Sequence, residues 1–316
     1  PTTPSYSSAA SDVYKRQEVE TIFCFIDDFC KEFVPFYKGK LLPKRRRTRQ
    51  SIMSLSEVLT ILIMFHQSHY RDFKSFYLFY ICKHMKKEFP NTVSYNRFVE
   101  LQKSVLLPLC YLSQMFKGEK TGIYFVDSTP IEVCHIKRAN RNKTFKNLAL
   151  KSKSTMGYFY GFKLHLVIND KGEIMAFKLT DSKTDDRVCV DDLTQGLTGK
   201  IVGDKGYIKK ALSESLFKRG LKLITRLRKN MKAKLMLLHD KLLLRKRGII
   251  ETVNDQLKNI SQIEHTRHRS KYNFLVNILC GIIAYGFQPK KPKLNFSKND
   301  QILSLIHISE PTRPTP

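Results

Sequence analysis

The sequence predicts an α/β protein in which a mixed sheet flanked by helices follows an all-α N-terminal region. Three observations lead there. From Glu18 to about Phe116 the apolar residues recur at helical spacing. After Gly118 the spacing contracts to two residues, the period of a strand. Beyond Thr180 short apolar runs alternate with helical stretches, as in a sheet with helices packed on it.

Within the first region, Ile22 to Phe36 is apolar on most faces and is interrupted by Asp27-Asp28 and Lys31-Glu32. A basic connector follows at 44–49, Lys-Arg-Arg-Arg-Thr-Arg. Ser54 and Glu57 form a capping-box pattern ahead of the apolar run Val58 to Phe65, which marks a helix start. Phe73 to Phe89 reads as a further helix ending at Pro90, and Ser94 as the N-cap of another from Tyr95 through Leu106. Helix, short turn and a helix expected to expose Asn96, Arg97, Gln102 and Lys103 match an ordinary hairpin with a polar face and, second to it, a DNA-reading helix-turn-helix.

In the second region Ile123 to Val126 reads as a buried strand. In Phe162 to Ile168 the apolar Phe162, Leu164, Leu166 and Ile168 alternate with Lys163, His165, Val167 and Asn169, which predicts a strand with a mostly polar outer face. Asn169-Asp170-Lys171-Gly172 supplies turn chemistry, so Glu173 to Thr180 is expected to return as a hairpin partner. Thr184 is the expected cap of a helix with Asp185 and Asp186 in its first turn. A strand to Val202, a helix from Ile208 to Arg219, a strand from Leu221 to Leu227 and a helix around Glu251 complete the pattern. The helical stretch Tyr272 to Phe287 is too interrupted by Asn273 and Asn277 to span a bilayer, and Val58 to Phe65 is too short.

The chain of 316 residues is 42% hydrophobic, enough for a sizeable core, and carries a formal charge of +28. Self-repulsion on that scale points to a polyanionic partner, nucleic acid before a membrane surface. The charge is also local. Eight Lys or Arg residues, among them Lys137, Arg138 and Arg141, lie between Glu132 and Asp170 without an acid, and eight more, including Arg226 and Arg228, between Glu214 and Asp240. Such stretches suit two tracks of phosphate backbone. Tyr158, Phe159 and Tyr160 beside the first stretch suit either base stacking or core packing. Seven scattered cysteines show no Cys-x-x-Cys or Cys/His spacing of a zinc site, which predicts reduced thiols in a cytosolic protein. No charged-then-apolar signal segment opens the sequence.

Three carboxylates in three settings are candidates for one site. Asp127 ends the apolar run in Gly-Ile-Tyr-Phe-Val-Asp-Ser-Thr, residues 122–129. Asp204 follows a second run in Lys-Ile-Val-Gly-Asp-Lys-Gly-Tyr, residues 200–207. Glu251 lies in a helical pattern, sharing a face with Arg247, Asn254, Asp255 and Lys258 while Ile250, Val253, Leu257 and Ile260 form another. Carboxylates held at a sheet edge can grip divalent cations for phosphodiester chemistry. Each also has a plainer explanation. Asp127 can cap a turn through Ser128 and Thr129, Asp204 can precede the turn at Gly206, and Glu251 can form an i,i+4 surface pair with Arg247.

Asp-Ser-Thr at 127–129, Gly-Asp-Lys-Gly-Tyr at 203–207 and the spacing Arg247, Glu251, Lys258 resemble the DDE transposases of bacterial insertion sequences. From Tyr95-Asn96-Arg97-Phe98 to Gln288-Pro289-Lys290-Lys291-Pro292 the chain is similar to the insertion-sequence family numbered 982. Neighbouring families place a Tyr three residues before the Arg; here that position is Leu244. The resemblance implies a ribonuclease-H-like catalytic domain over 118–295 and a helical DNA-binding region over 18–117. It implies Asp127, Asp204 and Glu251 as catalytic acids and ligands of two Mg²⁺ ions, with Mn²⁺ as a substitute and Asp127 as the bridge. Arg247, Lys258, Lys205, Arg97, Lys137, Arg138, Arg141, Arg226 and Arg228 are the expected DNA contacts. His165, on the strand expected to pair with that of Asp127, either neighbours the metals or is a satisfied sheet-face histidine.

The implied activity is binding of double-stranded DNA at terminal inverted repeats, cleavage, and strand transfer into target DNA by a homodimer assembled on DNA. The expected setting is bacterial, cytoplasmic and nucleoid-associated. A structure-specific nuclease of the same fold, or a non-catalytic DNA-binding regulator, are the alternatives. Residues 1–17 and 304–316, rich in Ser, Thr and Pro, resemble translated sequencing-adapter read-through and are expected to form disordered, non-native tails within 1–17 and 296–316.

Overall fold

The structure, a computed structural model, describes residues 6–40, 51–68, 70–154, 157–227, 236–264 and 268–294. The basic connector at 44–49, Arg228 and the C-terminal tail lie outside the described residues. The chain forms two compact units: residues 1–116 with 257–288, and 117–256 with 289–316.

The first unit is helical: α1 (Tyr6–Lys40), α2 (Leu55–Gln67), α3 (Phe73–Ser75), α4 (Tyr95–Leu101) and α5 (Leu106–Met115). The expected N-terminal tail is helical from Tyr6, and no proline or glycine between Tyr6 and Gln17 would stop that helix. Ser54 caps α2 with both halves of the capping box in place, Ser54 Oγ accepting from Glu57 N (3.1 Å) and Glu57 Oε2 from Ser54 N (2.6 Å). The stretch from Phe76 to His84 winds as a π-helix. There Phe76 and Tyr77 are fully buried; Tyr77 stacks on Phe73 and meets Phe98 at a tilt, and Phe76 stacks on Tyr80. Ser94 caps α4, as its position before Tyr95 predicts. Gln102, expected to be exposed, is buried, because the chain tightens into a 3-10 turn over Gln102–Val105 before α5.

The second unit carries α6 (Asp186–Leu193), α7 (Lys210–Lys218), α8 (Leu238–Arg245) and α9 (Gly248–Asp255); α10 (Lys271–Gly286) belongs to the first. The sequence places 257–288 with the sheet. The segment instead joins the helical unit, because α10 is buried nearly all round and packs on α2 and α5.

Six strands make one sheet: β1 (Ile123–Cys134), β2 (Leu150–Ser154), β3 (Gly157–Asn169), β4 (Ile174–Asp181), β5 (Gly199–Gly203) and β6 (Leu221–Thr225). The order is β2-β3-β1-β5-β6, with β4 also on β3. β1, β3 and β4 form an antiparallel meander, and β5 and β6 run parallel to β1. β2, which has no clear alternation in the sequence, pairs with Gly157 to Gly161 of β3, while β4 takes Phe162 to Ile168 of the same edge. The β3–β4 turn is as expected, with Gly172 at φ +73°, and Asn169 closes it through its side-chain oxygen to Lys171 N and Glu173 N.

The outer face of β3 is not polar. Val167, His165 and Asn169 are as buried as Leu164, Leu166 and Ile168. A core of Tyr124, Val126, Val167, Val190, Leu193, Ile201, Leu212 and Leu216 joins that face to α6 and α7. Covering both faces places β3 from Leu164 to Asn169 in the interior, where each buried Leu or Ile contributes roughly 1.5–3 kcal/mol. Asp185, not Thr184, caps α6; Thr184 turns its hydroxyl to Asp181 at 2.6 Å, and Asp185 accepts from Arg187 N.

The parallel edge is held by an ion cluster around one buried carboxylate, with the two lysines partly exposed. Lys200 and Lys222 face each other in register on β5 and β6, and like charges there repel. Asp240 at the start of α8 is 2% exposed and accepts from both, at 2.9 and 2.7 Å. Burial alone would raise its carboxyl, but the two ammonium groups hold it below the usual range. Asp240→Ala is therefore expected to cost about 1–3 kcal/mol in a urea titration at pH 7, the two lysines left behind being partly hydrated. Because the folded carboxyl is depressed, that contribution is present at neutral pH and is lost as pH falls through the folded value.

Candidate active site

Asp127 does not end a strand. β1 continues for seven residues to Cys134, and Asp127 lies opposite Leu166 in the antiparallel pairing with β3. What ends there is the other neighbour. β5 pairs with β1 only from Ile123 to Phe125, the last pair being Phe125 with Val202. Asp127 and Asp204 each stand two residues beyond that pair, so both face the same side of the sheet where β1 loses its parallel partner.

Local packing turns the chain at Asp204. Gly203 has no room for a side chain: a Cβ would meet the Tyr207 ring at 3.0 Å and Val126 Cγ1 at 3.2 Å. Tyr207 is buried against this backbone, and Asp204 begins the short 3-10 turn Lys205–Tyr207 that brings it there. The Gly-Asp-Lys-Gly-Tyr stretch is thus a strand end closed by an aromatic lid, with the Asp204 residue left exposed.

α9 packs on β1 and presents two polar side chains one turn apart. Asn254, 7% exposed, donates from Nδ2 to Asp127 Oδ2 at 3.2 Å. Glu251 pairs with Arg247 at 2.5 Å, with its side chain 58% exposed and that of Arg247 21%. Ile250, Val253 and Leu257 are fully buried as the helical pattern predicts. Ile260 is exposed instead, because the helix changes to π winding over Gln256–Ile260 and its register shifts.

The electrostatics of Asp127 report on its neighbours. Its carboxyl is pushed up to about 6, chiefly by burial. The Ser128 backbone N–H and the Arg247 guanidinium oppose the rise, and the negative charges of Glu251 and Asp204 add to it. Among the described residues, no three His, Cys, Asp or Glu side chains come together closely enough to hold a metal ion. The structure thus brings Asp127 and Asn254 into contact and puts Asp204, Glu251 and Arg247 within electrostatic range, with Glu251 turned to Arg247.

The expected DNA contacts are spread over both units. Lys137, Arg138 and Arg141 lie exposed on the 3-10 helix Ile136–Arg141 after β1. Lys205 is exposed next to Asp204, and Arg226 is exposed just past β6. Arg97 on α4 pairs with Glu100 at 2.8 Å and is half exposed. Lys258 belongs to the helical unit and pairs with Glu264 at 3.1 Å, both largely buried. Phe159 and Tyr160 are core residues, whereas Tyr158 is exposed, with Lys153 Nζ 5.7 Å from its ring. Leu244 is buried in α8. His165 is sealed in the sheet with Nε2 2.9 Å from Thr180 Oγ1, and burial lowers its pKa. Asn254 and Tyr207 are the site residues to which sequence reasoning gave no role. The signal for Asn254 was its place one turn after Glu251 on the same helical face.

An antiparallel meander extended by two parallel strands, each reached through a helix, is a ribonuclease-H-like sheet. Residues 117–271 match the family model described as a transposase DDE domain, a stretch that includes the whole sheet and all three acids. No curated protein matches the chain. Among solved structures, the piggyBac transposase synaptic complex with hairpin DNA is similar at 10% identity and a TM-score of 0.43, over 94% of this chain and 82% of that one. The Mos1 strand transfer complex is similar at 12% identity and a TM-score of 0.24, over 82% and 83%. No described helix is long and apolar enough to cross a membrane.

Proposed function

We propose that this protein is a DNA transposase that binds the terminal inverted repeats of an insertion sequence, cleaves at its ends and joins the freed 3′-hydroxyls to target DNA. One observation carries the reading: Asp127 and Asp204 stand on one side of the sheet where β1 loses its parallel partner, and the helix of Glu251 is tied to Asp127 there through Asn254, within a stretch matching a transposase DDE domain.

Asp127, Asp204 and Glu251 are assigned as the catalytic acids and as ligands of two Mg²⁺ ions, with Mn²⁺ as a substitute. The donor set fits in kind. All three are hard oxygen ligands, and Asn254, which bonds Asp127, has in Oδ1 a buried acceptor with no partner among the described residues. When bound, such ions activate the attacking hydroxyl and stabilise the leaving oxygen. Glu251 reaches that role by leaving Arg247, and the released guanidinium then meets the scissile phosphate. Lys137, Arg138, Arg141, Lys205 and Arg226 follow the DNA backbone beside the sheet, Arg228 is a further contact of the same basic stretch, and Arg97 and Lys258 serve from the helical unit. Two element ends need two active sites, so the working form is a homodimer on DNA.

Glu251→Gln tests the assignment. Cleavage of an end-bearing duplex in Mg²⁺ is expected to fall by at least about 10³-fold, while a gel shift shows end binding retained. Cleavage continuing at the parental rate would defeat it. Joined products from the parent separate a transposase from a hydrolytic nuclease of the same fold.

A further inference from the structure

Asn254 has a burial and a bonding pattern that packing does not explain. Its side chain lies one helical turn after Glu251, faces β1 and is 7% exposed. Nδ2 donates to Asp127 Oδ2 at 3.2 Å. Oδ1 is fully buried and has no hydrogen-bond partner among the described residues. Buried side-chain acceptors are rarely left unmatched, and one beside a carboxylate awaits a donor that the protein itself does not supply.

The residue type matters. Asp127 already lies near Glu251 and Asp204, so an acid at 254 would add repulsion. A lysine or arginine would neutralise Asp127 and take the place of a cation. A carboxamide does neither. It fixes one carboxylate oxygen with a neutral donor and leaves the negative charge of Asp127 available. Neutral groups of this kind, bonded to a ligand without ligating, set the orientation of metal-binding side chains.

We infer that Asn254 is a positioning residue of the divalent-cation site. Its N–H holds Asp127 Oδ2 so that the other oxygen is free for the ion, and its carbonyl accepts from the hydration shell of that ion. This rests on the proposed role of Asp127, and the two can be told apart by one titration.

The probe is Mn²⁺ alone, titrated into the full chain without DNA and followed by the electron paramagnetic resonance of the free ion. Asn254→Leu keeps the volume and removes both hydrogen-bonding groups. It is expected to weaken Mn²⁺ binding by about 10–100-fold while circular dichroism and thermal midpoint stay near parental. Asn254→Ala, read the same way, should agree and serves if the leucine variant does not fold. Parental Mn²⁺ affinity in a folded variant would overturn the inference and leave Asn254 a packing residue. If the parent binds no Mn²⁺, or binds it no better than Asp127→Asn, the cation-site reading of Asp127 fails first.

Discussion

Asp127→Asn is expected to lose DNA cleavage and, in metal-free buffer at neutral pH, to be more stable than the parent. The first effect follows from removing the central acid of the set, and at least about a thousandfold is expected. The second follows from burial. The carboxyl rises from an ordinary 3.8 to about 6, which corresponds to roughly 3 kcal/mol between its two protonation states. A raised folded value means that the folded chain holds its proton more tightly than the unfolded chain. Stability therefore falls as pH rises from 3.8 to 6, and the penalty is fully present above 6. Asparagine has no proton to lose and can still accept from Asn254. Thermal melts in EDTA should show the variant roughly 6–10 °C higher at pH 8, with the gap closing by pH 4. A variant that melts lower at pH 8 would mean that the buried charge is compensated by contacts other than those described. Loss of function with gain of stability is the pattern expected where a site is built at the expense of the fold.

Gly161→Ala is expected to destabilise the sheet by about 3 kcal/mol or more in urea. Gly161 lies opposite Glu132, where the β1–β3 pairing shifts register before Cys134. An added Cβ would fall 2.0 Å from the Ile131 carbonyl oxygen and 2.9 Å from its carbon. Both are backbone atoms in a ladder, so they cannot rotate away as a side chain would. Relief requires β1 and β3 to part at the irregularity, and β1 is the strand that carries Asp127. The same residue also pairs with Leu150 of β2, so both edges of β3 would be disturbed. A loss under about 0.5 kcal/mol would show that this crossing is looser than described.

Local chemistry was legible wherever it is local. The Ser54–Glu57 capping box, the turn after Asn169 and the cap at Ser94 all depend on residues a few positions apart, and they form as read. Alternation found β3 but misjudged its second face, because a period of two says nothing about what will cover it. Here α6 and α7 do, and Val167, His165 and Asn169 become interior. Asp127 reads as a strand end in the sequence because the polar Ser128 and Thr129 follow it. The strand runs on because β3 pairs through Asp127 to Cys134. β2 escaped notice because Leu-Lys-Ser-Lys-Ser has a single apolar residue, and its partner is chosen by β3. At the site, the spacing of Arg247 and Glu251 revealed a face but not a choice of partner. In the structure Glu251 takes the arginine, the plainer of the two expected roles, and Asn254 is the residue that reaches Asp127.

The most direct measurement is anomalous diffraction at the manganese edge from crystals grown with a cleaved element end and Mn²⁺. Glu251 is expected to be released from Arg247, with manganese peaks at roughly 2.0–2.3 Å from carboxylate oxygens of Asp127, Asp204 and Glu251. Manganese bound elsewhere, with DNA present and Glu251 still on Arg247, would contradict that expectation.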